Sequence, residues 1–189
     1  MDQQTKNGNN TRTSKVVTAA VGGLVVGLMA NAGRKVVMQL MESTNGEWDD
    51  ILKAEHNATL LIFDKLQETG PDNTAKRTML LLQLKHALTK HALEEENVVY
   101  PTMRENGLTD EADALNNDHG YVKQFLYELG KMEPSDQTWG TKVAEFRRQV
   151  ETHQREEENT LFPQLREKLS DEANTAMTVA LNKEGVMAA

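Results

Sequence analysis

An imperfect internal repeat constrains this chain more than any other feature of its sequence. The segment HALEEENVVYP at His91–Pro101 recurs as HQREEENTLFP at His153–Pro163. The histidine, the three glutamates, the asparagine and the proline are identical, and an aromatic residue precedes each proline. Another histidine lies 35 residues before the first copy, at His56, and 34 residues before the second, at His119. The chain therefore duplicates a helix pair that carries His and then His-x-x-x-Glu.

The spacing within each copy suits metal binding. A glutamate four residues after a histidine lies on nearly the same face of an α-helix, one turn further along. The histidines fall on apolar stripes, where an unpaired buried carboxylate would cost several kcal/mol. Imidazole and carboxylate together suit iron, with manganese, copper or zinc as chemical substitutes. We therefore predict a two-metal site, in the first place di-iron, with six ligands: His56, His91, Glu95, His119, His153 and Glu157.

The helical angle also assigns the remaining glutamates of each copy. Glu94 and Glu156 lie three residues after the histidine, and we expect them to contact the metal ligands without binding the metal themselves. Five residues after it, Glu96 and Glu158 are expected to point away from the site. His86 lies about 140° round the helix from the first histidine of the repeat, so it is expected at the rim of the site.

Helical patterning dominates the chain after residue 45. Apolar residues recur there at three- and four-residue spacing, and Gly, Pro, Asn or Asp interrupt the pattern at four places. The predicted helices span roughly 47–69, 74–104, 109–132 and 137–168, with a shorter one near 171–183. Short loops favour antiparallel neighbours, so the predicted fold is all-α: an antiparallel up-down-up-down four-helix bundle with an extra apolar N-terminal helix and a short C-terminal helix.

The first 45 residues have a different character. Residues 1–14 are polar, which predicts a disordered tail. Residues 15–44 are predicted to form an apolar helix, since Val16 to Gly33 carries no charge. It can be read as a membrane-spanning helix, a secretory signal, or a helix packed on the bundle or on a second subunit, and its glycines and Asn31 favour the last. The predicted domains are then the tail (1–14), this helix (15–44), the bundle (47–168) and a C-terminal helix with its tail (170–189).

Charge and composition argue against several classes of partner and of cofactor site. The net charge of −8 and the pI near 5.2 argue against nucleic acid and anionic lipid surfaces. Without cysteine, the chain has no disulfide, thiolate zinc site or iron–sulfur cluster. We expect a cytoplasmic protein, with membrane anchoring or export through residues 16–32 as the alternative. A homodimer through the N-terminal helix is compatible with the sequence, and membrane contact is not favoured.

At the repeated residues the chain resembles the hemerythrin-like family, the HHE cation-binding domain. The similarity covers about residues 47–168 and includes the aromatic-proline pairs Tyr100-Pro101 and Phe162-Pro163. It implies an antiparallel four-helix bundle in which the six residues above bind iron and the two glutamates bridge. Residues 1–45 and the last helix lie outside it.

One departure from the oxygen-carrying members bears on function. Those proteins have a further histidine one turn from that of the third helix, but here Leu115 and Lys123 flank His119 at four residues. The resemblance then implies an open or water-filled position on one iron, unless a carboxylate or Tyr121 fills it.

The implied function is the binding or sensing of O2, peroxide or nitric oxide, with a role in oxidative stress and with peroxide consumption left open. The alternative is an iron-dependent structural or signalling module without turnover. Ferritin-like di-iron enzymes are not supported, because they need Glu-x-x-His pairs and no histidine here has a glutamate three residues before it.

Overall fold

All regular structure in the described part of the chain is helical. The structure is a computed structural model that describes residues 46–188. In chain order its elements are α1 (Trp48–Gln67), α2 (Thr74–Glu94), the π-helical turn π1 (Glu95–Val99), α3 (Tyr100–Glu105), α4 (Thr109–Lys131), α5 (Trp139–Glu156), the π-helical turn π2 (Glu157–Leu161), α6 (Phe162–Lys168) and α7 (Asp171–Ala188). The predicted all-α class is confirmed. The predictions for residues 1–14 and 15–44 lie outside the described residues.

The four long helices enclose a common core. Helix α1 packs against α2 and α5, and α4 packs against the same two helices. The apolar stripes of these helices meet in two clusters. The first includes Trp48, Leu52, Val99, Tyr100, Leu115, Leu161 and Phe162. The second includes Ile62, Phe63, Leu84, Leu88, Val122, Phe146 and Val150. Along each long helix, the histidine of the predicted site comes between residues of the two clusters.

The two π-helical turns interrupt what the sequence predicted as continuous helices. The backbone N–H of Tyr100 donates to the carbonyl of Glu95, five residues earlier, and that of Phe162 donates to the carbonyl of Glu157. A proline follows each aromatic residue. Because proline has no N–H and its ring clashes with the carbonyl four residues back, a regular α-helical turn is disfavoured there. The wider turn accommodates the proline and rotates the residues after each glutamate.

Helix α7 packs against α1, α2 and π1. The backbone N–H of Trp48 donates to Thr178 Oγ1 at 3.0 Å, and its indole N–H donates to Asn174 Oδ1 at 2.9 Å. The helix continues past Gly185 to Ala188, five residues beyond the predicted end near 183. A Cβ atom at Gly185 would lie 2.2 Å from Glu94 Oε1, so this glycine permits a close approach rather than ending the helix.

Within residues 46–188, no helix combines the length and the apolar character that crossing a bilayer requires. The segment for which a membrane span or a signal was considered, residues 16–32, lies outside this range.

Candidate metal centre

All six predicted ligands converge in one buried place between the long helices. Their ligand atoms form two groups, each within 4.8 Å of one another: His56, His91, Glu95 and Glu157 in the first, and Glu95, His119 and His153 in the second. Glu95 belongs to both groups, and Glu157 Oε1 lies 3.3 Å from His153 Nε2. The two carboxylates therefore lie between the two histidine pairs, which is where bridging ligands would have to be.

Several polar atoms here have no hydrogen-bond partner within the described residues: Glu95 Oε1, Glu157 Oε2 and His153 Nε2. Glu95 Oε1 lies 3.2 Å from His91 Nε2, and Glu157 Oε2 lies 3.4 Å from His56 Nε2, but neither contact has the geometry of a hydrogen bond. Leaving such atoms unpaired costs about 1–3 kcal/mol each, and more for a charged group. A cation bound among them would remove that cost, so the donor set fits a metal.

Each of the four histidines places its other ring nitrogen, Nδ1, against a carboxylate. The pairs are His56 with Glu158 at 2.7 Å, His91 with Glu55 at 2.9 Å, His119 with Glu96 at 2.9 Å and His153 with Asp118 at 3.4 Å. An Nδ1–H that donates to a carboxylate leaves the Nε2 lone pair free for a cation. The Nε2 atoms of His56 and His91 lie only 2.9 Å apart. Two lone pairs at this distance repel, so a proton or a cation must lie between them.

The prediction that Glu96 and Glu158 point away is wrong. Glu96 reaches from π1 to His119 on α4, and Glu158 reaches from π2 to His56 on α1. The prediction assumed an ideal α-helix, whereas the π-helical turns rotate these side chains toward the neighbouring helices.

Glu55 and Asp118 were not predicted, although the sequence holds a signal for them. An acidic residue directly precedes the first histidine of each half, in Glu55-His56 and Asp118-His119. Each of these residues contacts the second histidine of its own half, His91 or His153. The supporting carboxylates thus follow the same duplication as the ligands.

An ion-paired cluster lies behind His91. Lys90 Nζ lies 2.5 Å from both Glu55 Oε1 and Glu94 Oε1. Burial alone would raise the pKa of Glu55, but His91 and Lys90 lower this pKa to about 2. Burial and the charge of Glu55 raise the pKa of Glu94 to about 8. Glu94 therefore supports the site through Lys90 and Glu55. The prediction that Glu156 supports it is wrong, because Glu156 is exposed.

The two central carboxylates differ in charge when no metal is bound. Burial alone would raise the pKa of Glu95, but His91 and His119 hold it well below its ordinary value. Burial and the charge of Glu95 raise the pKa of Glu157 well above its ordinary value. Burial would lower the pKa of His91, but Glu95 and Glu55 hold it well above the usual range. Without metal, both shifts favour a proton on Glu157 and on His91.

Tyr100, which the sequence analysis named only as part of an aromatic-proline pair, adds a polar group to the site. Its hydroxyl lies 3.1 Å from His119 Nε2, 3.2 Å from Glu95 Oε2 and 3.3 Å from Glu157 Oε1. Burial and these two carboxylates raise the pKa of Tyr100 well above its ordinary value. Phe162, at the same position of the second copy, stacks on His56 and brings no hydroxyl. The two halves of the site are therefore chemically unequal.

The side chains considered for the missing fifth imidazole lie at the surface. The side chain of Lys123 is 65% exposed and its Nζ lies 3.0 Å from Glu96 Oε1. Tyr121 is 55% exposed, so it does not fill that position. His86 is also exposed and lies outside both ligand groups. Tyr100 is the phenol that reaches the site.

A small cavity of about 20 Å³ adjoins the second histidine pair. It is lined by Leu88, His91, Ala92, His119, Val122, Val150, His153 and Gln154. Three of the predicted ligands thus contribute to its wall, and most of the remaining wall is apolar.

Comparison with known proteins agrees with this geometry. The family model of the hemerythrin HHE cation-binding domain matches residues 49–165. The chain belongs to this family. The hemerythrin match contains all six predicted ligands and Tyr100, and it ends before α7.

One curated relative is a DNA nickase of Nostoc sp. (strain PCC 7120 / SAG 25.82 / UTEX 2576), which is 29% identical over 123 residues. The alignment covers 65% of this chain and 34% of the relative, so the chain spans about a third of that protein's length. No solved structure matches the chain significantly.

Proposed function

We propose that this hemerythrin-family chain is a non-haem di-iron protein that binds or senses O2 or a related oxidant, such as peroxide or nitric oxide. The observation that carries the proposal is the cluster of buried imidazole and carboxylate atoms, three of which, Glu95 Oε1, Glu157 Oε2 and His153 Nε2, have no hydrogen-bond partner within the described residues. Mixed nitrogen and oxygen donors of this kind suit iron. Manganese, copper and zinc are chemical substitutes that the donor set would also accept.

His56 and His91 would hold one iron and His119 and His153 the other, with Glu95 and Glu157 shared between them. The hydroxyl of Tyr100 lies beside His119, so it is the natural further donor for the second iron. When bound, the irons would supply redox chemistry toward O2 or peroxide and a coordination position for a small ligand.

The surrounding residues have separate tasks in this proposal. The four carboxylates behind the histidines fix the imidazole tautomers and orient the Nε2 atoms. The apolar walls of the cavity, among them Leu88, Val122 and Val150, would give a small ligand mostly nonpolar surroundings.

We also propose the up-down-up-down order for the four long helices. In one core cluster Phe63 and Leu66, near the end of α1, meet Leu80 and Leu84, near the start of α2. Such a meeting supports an antiparallel pair. The proposed bundle domain covers residues 47–168, with residues 170–189 as a separate C-terminal helix and tail.

The test is an absorption spectrum of the protein loaded anaerobically with ferrous iron, recorded before and after O2, nitric oxide, azide and peroxide. The proposal expects a spectral change with at least one of the oxidants. A His153→Ala variant, which removes one predicted ligand, should show a weaker change. An iron-loaded protein that responds to none of these molecules would refute oxidant binding.

That same outcome would support the alternative, an iron-dependent structural or signalling module. One observation favours it: the match to about a third of a longer relative shows that a domain of this kind occurs within larger proteins. Nicking of DNA is not proposed for this chain, because a net charge of −8 gives little attraction to a phosphate backbone.

A further inference from the structure

The C-terminal helix α7 covers the ion-paired cluster that lies behind one of the predicted ligands. Gly185 on α7 is buried, and a Cβ atom there would overlap Glu94 Oε1 and lie 3.0 Å from Lys90 Nζ. The neighbouring Glu184 accepts a hydrogen bond at 2.8 Å from Asn97 on π1. The last turns of α7 therefore pack directly on the cluster, and the glycine makes this close approach possible.

Lys90 joins the cluster to the predicted ligand His91. Its Nζ lies 2.5 Å from Oε1 of Glu94 and 2.5 Å from Oε1 of Glu55. The other oxygen of Glu55 lies 2.9 Å from His91 Nδ1. The side chains of Lys90, Glu55 and Glu94 are at most 12% exposed, so salt and water screen these contacts little. A short path of charged contacts thus runs from α7 to the imidazole of His91.

The second half of the repeat lacks these parts. Its residue at the position of Lys90 is Thr152, and its residue at the position of Glu94 is Glu156, which is exposed. The main contacts of α7 are with α1, α2 and π1, and the helices α1 and α2 carry the first histidine pair. An effect of α7 on metal binding should therefore fall on the metal that this pair would hold.

We propose that Lys90 is a positioning residue that links α7 to the metal site, so that the packing of α7 and metal binding at His56 and His91 strengthen each other. This inference rests on the proposed function, because it requires a metal at that histidine pair. Lys90 and His91 each contact one oxygen of Glu55, which holds this carboxylate in the orientation that supports the imidazole. A metal that fixes His91 therefore also fixes Glu55, Lys90 and Glu94, on which α7 packs.

Such a coupling is reciprocal. The factor by which packed α7 raises the metal affinity equals the factor by which bound metal favours the packing of α7. The inference can therefore be tested from both ends, at the metal site and at α7.

Amide hydrogen exchange measures the coupling from the metal to α7. The full chain is compared without metal and with saturating ferrous iron under anaerobic conditions. In the parent, iron should slow the exchange of residues Leu181–Ala188 about tenfold or more beyond its effect on α4, which serves as the reference for general stabilisation by a ligand. In Lys90→Met, which keeps an unbranched side chain and removes the ammonium group, this additional slowing should be lost.

Lys123→Met is the matched control. Lys123 also contacts a carboxylate behind a histidine, that of Glu96, but its side chain is 65% exposed and lies on α4. Solvent screens such a contact, so this variant should respond to iron as the parent does.

Gly185→Ala tests the coupling from α7 to the metal. The atoms that the added Cβ meets belong to the side chains of Glu94 and Lys90, so the substitution displaces the cluster without touching a predicted ligand. Affinity for ferrous iron, measured against a competing chelator, should fall about tenfold or more for one of the two irons. Gly130→Ala, whose added Cβ meets no atom within 4 Å, should leave both affinities unchanged. This second variant tests the inference even if circular dichroism shows that Lys90→Met does not fold.

The outcomes separate this inference from the proposed function. Equal additional slowing of exchange in the parent and in Lys90→Met would overturn the inference, as would an unchanged iron affinity in Gly185→Ala. A parent that binds two irons but shows no more slowing in α7 than in α4 would overturn the inference and leave iron binding intact. A parent that binds no iron would overturn both.

Discussion

At the scale of single residues, the four histidines are distinguished by the carboxylates behind them. The contact of His56 with Glu158 is 2.7 Å, whereas that of His153 with Asp118 is 3.4 Å. The shorter contact holds the imidazole more firmly, since hydrogen-bond strength falls with distance. The ligands share a residue type but are not held equally.

Replacing the glutamates of the repeat should have graded effects on iron binding. Glu95→Ala or Glu157→Ala should lose one or both irons, because each carboxylate lies between the two histidine pairs. Glu96→Gln and Glu158→Gln should weaken iron binding by about 10- to 100-fold, the usual effect of losing such a support. Glu156→Gln is the matched control, since Glu156 belongs to the same repeat and is exposed. Iron content after dialysis against a graded chelator measures the series, and equal losses from all five variants would contradict this account.

Tyr100→Phe tests the inequality of the two halves. The substitution copies Phe162 into the first half and removes only the hydroxyl beside His119. If the phenol binds the second iron, the oxidised parent should show a visible absorption band from phenolate to iron, and the variant should lack it while keeping about two irons per chain. Identical visible spectra would mean that the hydroxyl serves only as a hydrogen-bond donor to the carboxylates.

At the scale of elements, the sequence predicted the helices and six candidate ligands that the structure brings together, but it did not predict the carboxylates that contact the histidines. The candidate ligands could be predicted from the sequence because a histidine and a glutamate four residues apart share a helical face. The carboxylates that contact His119 and His56 are those of Glu96 and Glu158, which lie on other elements. They reach these histidines because of the π-helical turns, which an ideal α-helix does not contain. Periodicity within one helix cannot reveal a partner on another helix. The duplicated acidic residue before His56 and His119 was the one local clue.

Helix α7 depends on a glycine where it passes the cluster of Lys90 and Glu94. Gly185→Ala places a Cβ within 2.2 Å of Glu94 Oε1, so Glu94 must move away from Lys90 or the helix must shift. We expect a loss of about 1–3 kcal/mol in the free energy of unfolding, the usual cost of overpacking. Urea denaturation measures it.

Gly130→Ala is the control for this substitution. Gly130 lies near the end of α4, and no atom lies within 4 Å of its added Cβ. This change should be neutral or stabilise the protein by up to about 1 kcal/mol. An equal effect of the two substitutions would argue against close packing at Gly185.

At the scale of the whole molecule, metal binding and protonation compete. Burial and the charge of Glu95 raise the pKa of Glu157, whereas the pKa of His91 is raised by Glu95 and Glu55 against the effect of burial. Both shifts favour protons that a metal must displace. Metal affinity should therefore rise with pH and fall as the solution becomes acidic. Titration calorimetry in buffers of different ionisation enthalpy would reveal the released protons. An affinity independent of pH, with no proton release, would contradict the assignment of charges.

The central claim is that the buried histidines and glutamates form a site for two irons. The most direct test is the iron content of the protein after anaerobic loading, together with its melting temperature with and without iron. We predict about two irons per chain and a higher melting temperature in the loaded protein, because a ligand that binds only the folded state stabilises it. A stably folded chain that holds no iron and gains no melting temperature from iron would contradict the claim.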